Sequence, residues 1–90
     1  MAIKDLEFRG INRTHLEMYF EELGGKQRTF DFPIIFIGDH WSGQILSEEE
    51  IKITSAFKVN AVNIRFQAES NEILKELVSK YRQKTTRVGG

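Results

Sequence analysis

Residues 45–57 read ILSEEEIKITSAF, and the side on which their apolar members fall decides the architecture of the whole chain. Ile45, Ser47, Glu49, Ile51, Ile53, Ser55 and Phe57 keep a single parity, which for a period of two places them on one face of a strand. The reading is one long strand, with a break near residues 47–50 as its alternative. On its C-terminal side, residues 59–61 mark a reversal, signalled by Asn60 alone. Val62, Ile64, Phe66 and Ala68 then alternate with Asn63, Arg65, Gln67 and Glu69, a strand with one wet face. On its N-terminal side residues 38–43 read as a turn. From Arg28 to that turn, Phe30, Phe32, Ile34 and Phe36 oppose Pro33, Ile35 and Ile37, so this strand is apolar on both sides. Pro33 lacks the ladder donor and calls for a sheet edge or a bulge.

Two helices complete the pattern. Thr14 stands three residues before Glu17, the reciprocal spacing of a capping box, and Leu16, Tyr19, Phe20 and Leu23 then fall on one stripe. Gly24 or Gly25 supplies the left-handed stop. Ser70 or Asn71 caps the second helix, whose stripe is Ile73, Leu74, Leu77, Val78 and Tyr81. Leu6 and Phe8, alternating with Glu7 and Arg9, form a short strand ahead of both. The order β-α-β-β-β-α predicts an α+β two-layer sandwich, with two helices on one face of a mainly antiparallel four-stranded sheet, a ferredoxin-like variant. Phe8, Ile53, Phe57, Ile64 and Phe66 are the strand residues expected beneath the helices. A single domain over residues 1–84 and a mobile tail over 85–90 follow, with a last short strand at 85–88 as the alternative reading of the tail.

Composition narrows the functions. Apolar residues at 40% and charged residues at 29% describe a globular chain, and 13 basic against 13 acidic side chains leave no global field to attract nucleic acid or a membrane. Cysteine is absent, which removes disulfide and thiolate chemistry and agrees with a cytoplasmic setting. The charges at Lys4, Asp5 and Glu7 interrupt any signal-peptide core, and no apolar run reaches the ~18 residues of a membrane span.

Asp39, His40 and Trp41 form the sharpest chemical cluster. At a hairpin tip, turn propensity explains the aspartate, whereas a tryptophan beside a histidine calls for a surface to cover. The cluster has too few ligands for a metal and no nucleophile positioned on a base, so neither metal nor cofactor is expected. The sheet face away from the helices should carry Arg9, Lys52, Lys58 and Arg65 as charge, and Ile35 and Ile37 as an apolar stripe. Each isoleucine left wet forgoes roughly 1.5–3 kcal/mol of burial, which predicts a homodimer through this face, or a protein partner or anionic small molecule upon it. Nucleic acid is disfavoured, since the middle strands offer no exposed aromatic for base stacking. The basic segment 75–90 is accounted for by the preference of helix C-termini for cations.

Gly89 and Gly90 resemble the diglycine end of ubiquitin-like sulfur carriers, whose small unhindered tail enters an activating enzyme and becomes acyl-adenylated. That resemblance rests on two residues, and here they follow a helix, while the carriers have a β-grasp fold with another order of elements. The sequence therefore predicts a non-enzymatic binding module, with an accessory enzyme or sulfur carrier acting through His40 or the diglycine as the alternative.

Overall fold

The computed structural model describes residues 1–89. Five strands and two helices follow one another as β1 (Ala2–Arg9), α1 (Arg13–Glu22), β2 (Lys26–Gln27), β3 (Ile34–Ile37), β4 (Trp41–Thr54), β5 (Phe57–Ala68) and α2 (Asn71–Gly89). The sheet order is β1-β5-β4-β3-β2, and every neighbouring pair runs antiparallel. This is a mixed α+β fold, but the sheet has five strands and is not ferredoxin-like. A split βαβ unit needs the strands flanking the first helix to run parallel around a third. Here β1 and β2 lie at opposite edges of the sheet.

Both helices cover the same face. Phe8 of β1, Val62, Ile64 and Phe66 of β5, Ile45 of β4 and Ile34 and Phe36 of β3 are buried beneath Leu16, Tyr19 and Phe20 of α1 and Leu77 and Tyr81 of α2. Phe20 and Tyr81 centre this core, with ring centroids 4.6 Å apart. The α1 helix reaches the sheet because β4 has a glycine under it. A Cβ at Gly43 would collide with the Phe20 ring.

The helix ends depart from the sequence reading at the start of α1 and at the end of α2. Asn12, rather than Thr14, is the N-cap of α1, its side-chain oxygen accepting from the Thr14 N–H at 2.8 Å. Asn12 starts the helix two residues earlier than a cap at Thr14 would. At the other end Gly24 has φ 98°, and the N–H groups of Gly24 and Gly25 bond the carbonyls of Glu21 and Phe20, a Schellman closure. Ser70 caps α2, its hydroxyl accepting from the Ile73 N–H at 3.2 Å. The helix then continues through the segment read from sequence as a tail or strand, with Thr85 buried and its hydroxyl donating to the Arg82 carbonyl. Gly90 lies outside the described residues.

Two strand readings are also corrected. Residues 29–33 form a loop in which the Thr29 hydroxyl donates to the Pro33 carbonyl and accepts from the Ile35 N–H, so Phe30 and Phe32 are exposed instead of lining a strand. The larger correction is a β-bulge in β4. Ile45 pairs with Ile64, but the next partner of Asn63 is Ser47, and Leu46 is the extra residue. One inserted residue exchanges the two faces for the residues that follow it, here as far as the second register shift between Lys52 and Thr54. Glu48, Glu50 and Lys52 therefore take the helix side, while Ile51 takes the open side opposite Val59. The strand reverses at residues 55–56, not at Asn60, whose side chain instead donates to the Ile11 carbonyl at 2.6 Å. The expected core positions Ile53 and Phe57 are 51% and 57% exposed. Past the last β1 pair, Arg9 with Ala61, β4 and β5 project as a two-stranded arm, and the molecule measures 43 × 27 × 21 Å.

Candidate functional site

The connection between β3 and β4 is shorter than the 38–43 turn read from sequence. Gly38 N–H donates to the Trp41 carbonyl at 2.9 Å, leaving Asp39 and His40 as the two linking residues. His40 takes a left-handed φ of 68°, a conformation disfavoured for a residue with a Cβ. Two contacts hold it there. Its carbonyl accepts from the Glu69 N–H at 3.1 Å, and its Nδ1 lies 2.7 Å from Glu69 Oε2. Asp39 Oδ1 is 3.4 Å from Nε2 on the other side of the ring.

Trp41 is turned inward rather than outward. Its indole stacks on Phe20 with centroids 5.9 Å apart, and lies so close over Gly38 and Gly25 that a Cβ at either would collide with it. The surface it covers is thus the open end of the protein's own core. A shallow cavity of about 260 Å³ beside it is lined by Leu23, His40, Trp41, Ile73, Leu77 and Lys80, with Asp39 and Glu76 at its margin. No hydroxyl or other nucleophile is hydrogen-bonded to His40 among the described residues, and no group of three or more metal-ligating side chains converges there. The arrangement is a braced turn in which two carboxylates flank an exposed imidazole.

The open sheet face is built from cross-strand rows. Ile3, Gln67, Ser42 and Ile37 form one row, and Asp5, Arg65, Gln44 and Ile35 the next. Arg65 grips Asp5 through Nε and Nη2 at 2.8 and 3.1 Å, and its guanidinium holds the Asp5 carboxyl below the ordinary carboxylate range. Arg9 is likewise bonded to Glu7 at 2.6 Å. The two arginines expected to make this face basic are therefore already neutralised. Lys52 and Lys58, expected beside them, face each other from the opposite side of the arm, Lys52 placed there by the bulge and Lys58 by sharing the parity of Val62 and Ile64 along β5, and Lys58 lies 3.5 Å from Glu50. Ile35 is half-buried and Ile37 is 41% exposed, both on the open side as anticipated. The sequence-derived residues thus fall into three separate places: the braced turn, the open face and the arm. Asp5 and Glu69 were missed, since each becomes relevant only through a cross-strand or tertiary partner, and Glu7 was missed as the partner of Arg9 two residues along the same strand. Alternation with apolar residues on β1 was the one available signal for Asp5 and Glu7.

The fold and these surfaces define a small α+β domain with a two-helix roof, a largely polar open face and a C-terminal helix ending in glycine. The family model described as "Archaeal MoaD-like protein" matches residues 4–90, and the chain belongs to that family. No curated protein matches the chain. Among the described residues, no helix is long and apolar enough to cross a membrane.

Proposed function

We propose that the protein is a small sulfur-carrier-like module whose reactive end is the Gly89-Gly90 pair. The observation that carries this reading is the family match, which runs over residues 4–90 and so includes both glycines. The family suggests a β-grasp-like fold. The present chain departs from the carriers in having Gly89 as the last residue of α2 instead of after a strand. In this reading the end of α2 opens to present the tail. Tyr81, Thr85 and the 2.6 Å Lys84–Glu22 ion pair fasten the helix to the body. Beyond them Thr86, Val88 and Gly89 are weak helix formers, so unwinding that last turn is inexpensive. Residues 86–90, once extended, reach at most about 18 Å, enough to thread a narrow channel.

The chemistry then needs no side chain of this protein. The terminal carboxylate oxygen attacks the α-phosphorus of ATP held by a partner enzyme, pyrophosphate leaves, and a sulfide-level donor displaces AMP to leave a thiocarboxylate. Intact-mass spectrometry of the protein from its native cells tests this directly. Sulfur loading gives a species heavier by one oxygen-to-sulfur exchange, lost on deletion of Gly89-Gly90. A native chain continuing past Gly90, or no such species from sulfur-replete cells, sinks the reading.

A second reading is a module that pairs with a copy of itself through the open face, favoured by Ile3, Ile37, Ile53 and Phe57, all exposed on the side without helices or at the arm's end. Sedimentation at micromolar concentration decides it: a dimer disrupted by Ile37→Lys supports it, and a monomer excludes it.

A further inference from the structure

The sharpest unexplained feature lies on the roofed side, where α2 meets the outer edge of the sheet. Strand β1 is an edge: it pairs with β5 along eight residues and has no neighbour on its other side among the described residues. An edge of about 27 Å exposes a row of unpaired N–H and C=O groups. Next to it runs a groove of about 390 Å³, lined by Lys4 from β1 and by Leu74, Lys75, Val78, Ser79 and Arg82 from α2. Residues 75, 78, 79 and 82 are spaced i, i+3, i+4 and i+7, so they form one continuous stripe of the helix.

The charges on α2 divide sharply between its two sides. On one, Lys80 is paired with Glu76 at 2.8 Å and Lys84 with Glu22 at 2.6 Å. On the groove side Lys4, Lys75 and Arg82 have no carboxylate partner among the described residues, although Glu72 stands three residues before Lys75. The acidic residues of β1 point to the other face, Asp5 to Arg65 and Glu7 to Arg9. A lone lysine on an edge strand guards against unwanted pairing, which accounts for Lys4. It does not account for two more unpaired cations on the helix above an apolar floor of Leu74 and Val78.

We propose that this edge and groove together receive an extended acidic segment of a partner protein, which adds to the sheet as a sixth strand along β1. Alternate side chains of such a strand point to the helix side. Apolar ones rest on Leu74 and Val78, and carboxylates meet Lys4, Lys75 and Arg82, while the main chain pairs with the open edge. Backbone pairing gives affinity, and the groove gives selectivity for carboxylate next to apolar. This inference does not depend on the carrier reading, because it uses neither glycine.

The test is fluorescence anisotropy with a labelled peptide of alternating glutamate and valine, against a lysine–valine counterpart, the glutamate–valine peptide N-methylated at alternate residues, and a single-stranded oligonucleotide. The acidic peptide should bind, and Lys4→Glu/Lys75→Glu/Arg82→Glu should weaken it by about tenfold or more, with the far-ultraviolet spectrum and unfolding midpoint nearly unchanged. N-methylation should abolish binding without altering charge. Equal binding of the two peptides, no acidic-peptide binding at millimolar concentration, insensitivity to N-methylation, or a preference for the oligonucleotide would each overturn the proposal. Deleting Gly89-Gly90 should leave peptide binding intact, which separates a failure here from a failure of the carrier reading.

Discussion

The two halves of the β4–β5 hairpin have the same backbone pairing and opposite fates. At the end away from the turn, Ile45, Ile64 and Phe66 are wholly buried under Phe20 and Tyr81. Beyond the bulge at Leu46, Ile53 and Phe57 are more than half exposed, and the helix-facing positions are Glu48, Glu50 and Lys52. Glu48 is the pivot. Its carboxylate takes the Arg13 guanidinium at 3.0 Å, tying the first turn of α1 to the strand where the roof stops. The difference teaches that β-pairing positions side chains without making a core, and that one inserted residue decides which of them are buried. An isolated two-stranded ribbon is marginal in water, so the arm depends on the roofed half for its register.

The largest test of this contrast compares two phenylalanines of the same strand. Phe66→Ala should cost about 3–5 kcal/mol by leaving a cavity beneath both helices, whereas Phe57→Ala on the arm should stay within about 0.5 kcal/mol. Urea unfolding midpoints at constant m-value measure both, and similar losses would mean that the arm is covered in solution. Next, Gly43→Ala forces a methyl into the Phe20 ring and should destabilise by about 1–3 kcal/mol in the same assay. Only a shift of α1 off the strand avoids that cost.

A smaller effect separates two tyrosines inside the roof. The Tyr81 hydroxyl donates to the Leu16 carbonyl at 2.7 Å, and burial, with Tyr19 and Glu17 nearby, pushes its phenol far above the ordinary range. The Tyr19 hydroxyl is buried with no hydrogen-bond partner among the described residues. Tyr81→Phe should therefore cost about 1 kcal/mol, while Tyr19→Phe should be neutral or slightly stabilising, as read by thermal unfolding.

The smallest effect lies on the unroofed face. The folded-state pKa of Asp5 is depressed by Arg65, so its contribution is present above the ordinary aspartate pKa and is lost as pH falls through the lowered value. Asp5→Asn should be slightly less stable than the parent near neutral pH, and the gap should close as acidification protonates the Asp5 carboxyl. A gap that persists in acid would assign the effect to packing instead of charge.

Much of the roofed half was legible in the sequence. The stripes of both helices and the alternation of residues 62–68 reflect burial against one face, and burial leaves a period. The bulge left none. Ile45 and Leu46 are both apolar, and the run of three glutamates after them fits either face, so counting parity through residue 46 carries Ile53 and Phe57 to the wrong side. Asn12 was passed over because Thr14 and Glu17 offer an equally good local match, and only the folded backbone shows which residue caps. The braced turn was half legible: Asp39, His40 and Trp41 stand together in sequence, but Glu69, which holds the imidazole, lies 29 residues away. The fivefold sheet escaped notice because β2 is two residues long, too short to have a period.

Trp41 is the only tryptophan of the chain, and it is stacked on Phe20 where α1, the β3–β4 connection and the core's open end meet. Its intrinsic emission is consequently a built-in optical probe of that one junction. Any ligand or partner that pries α1 from the sheet will register as a red shift, while events confined to the distant ribbon will stay spectroscopically silent.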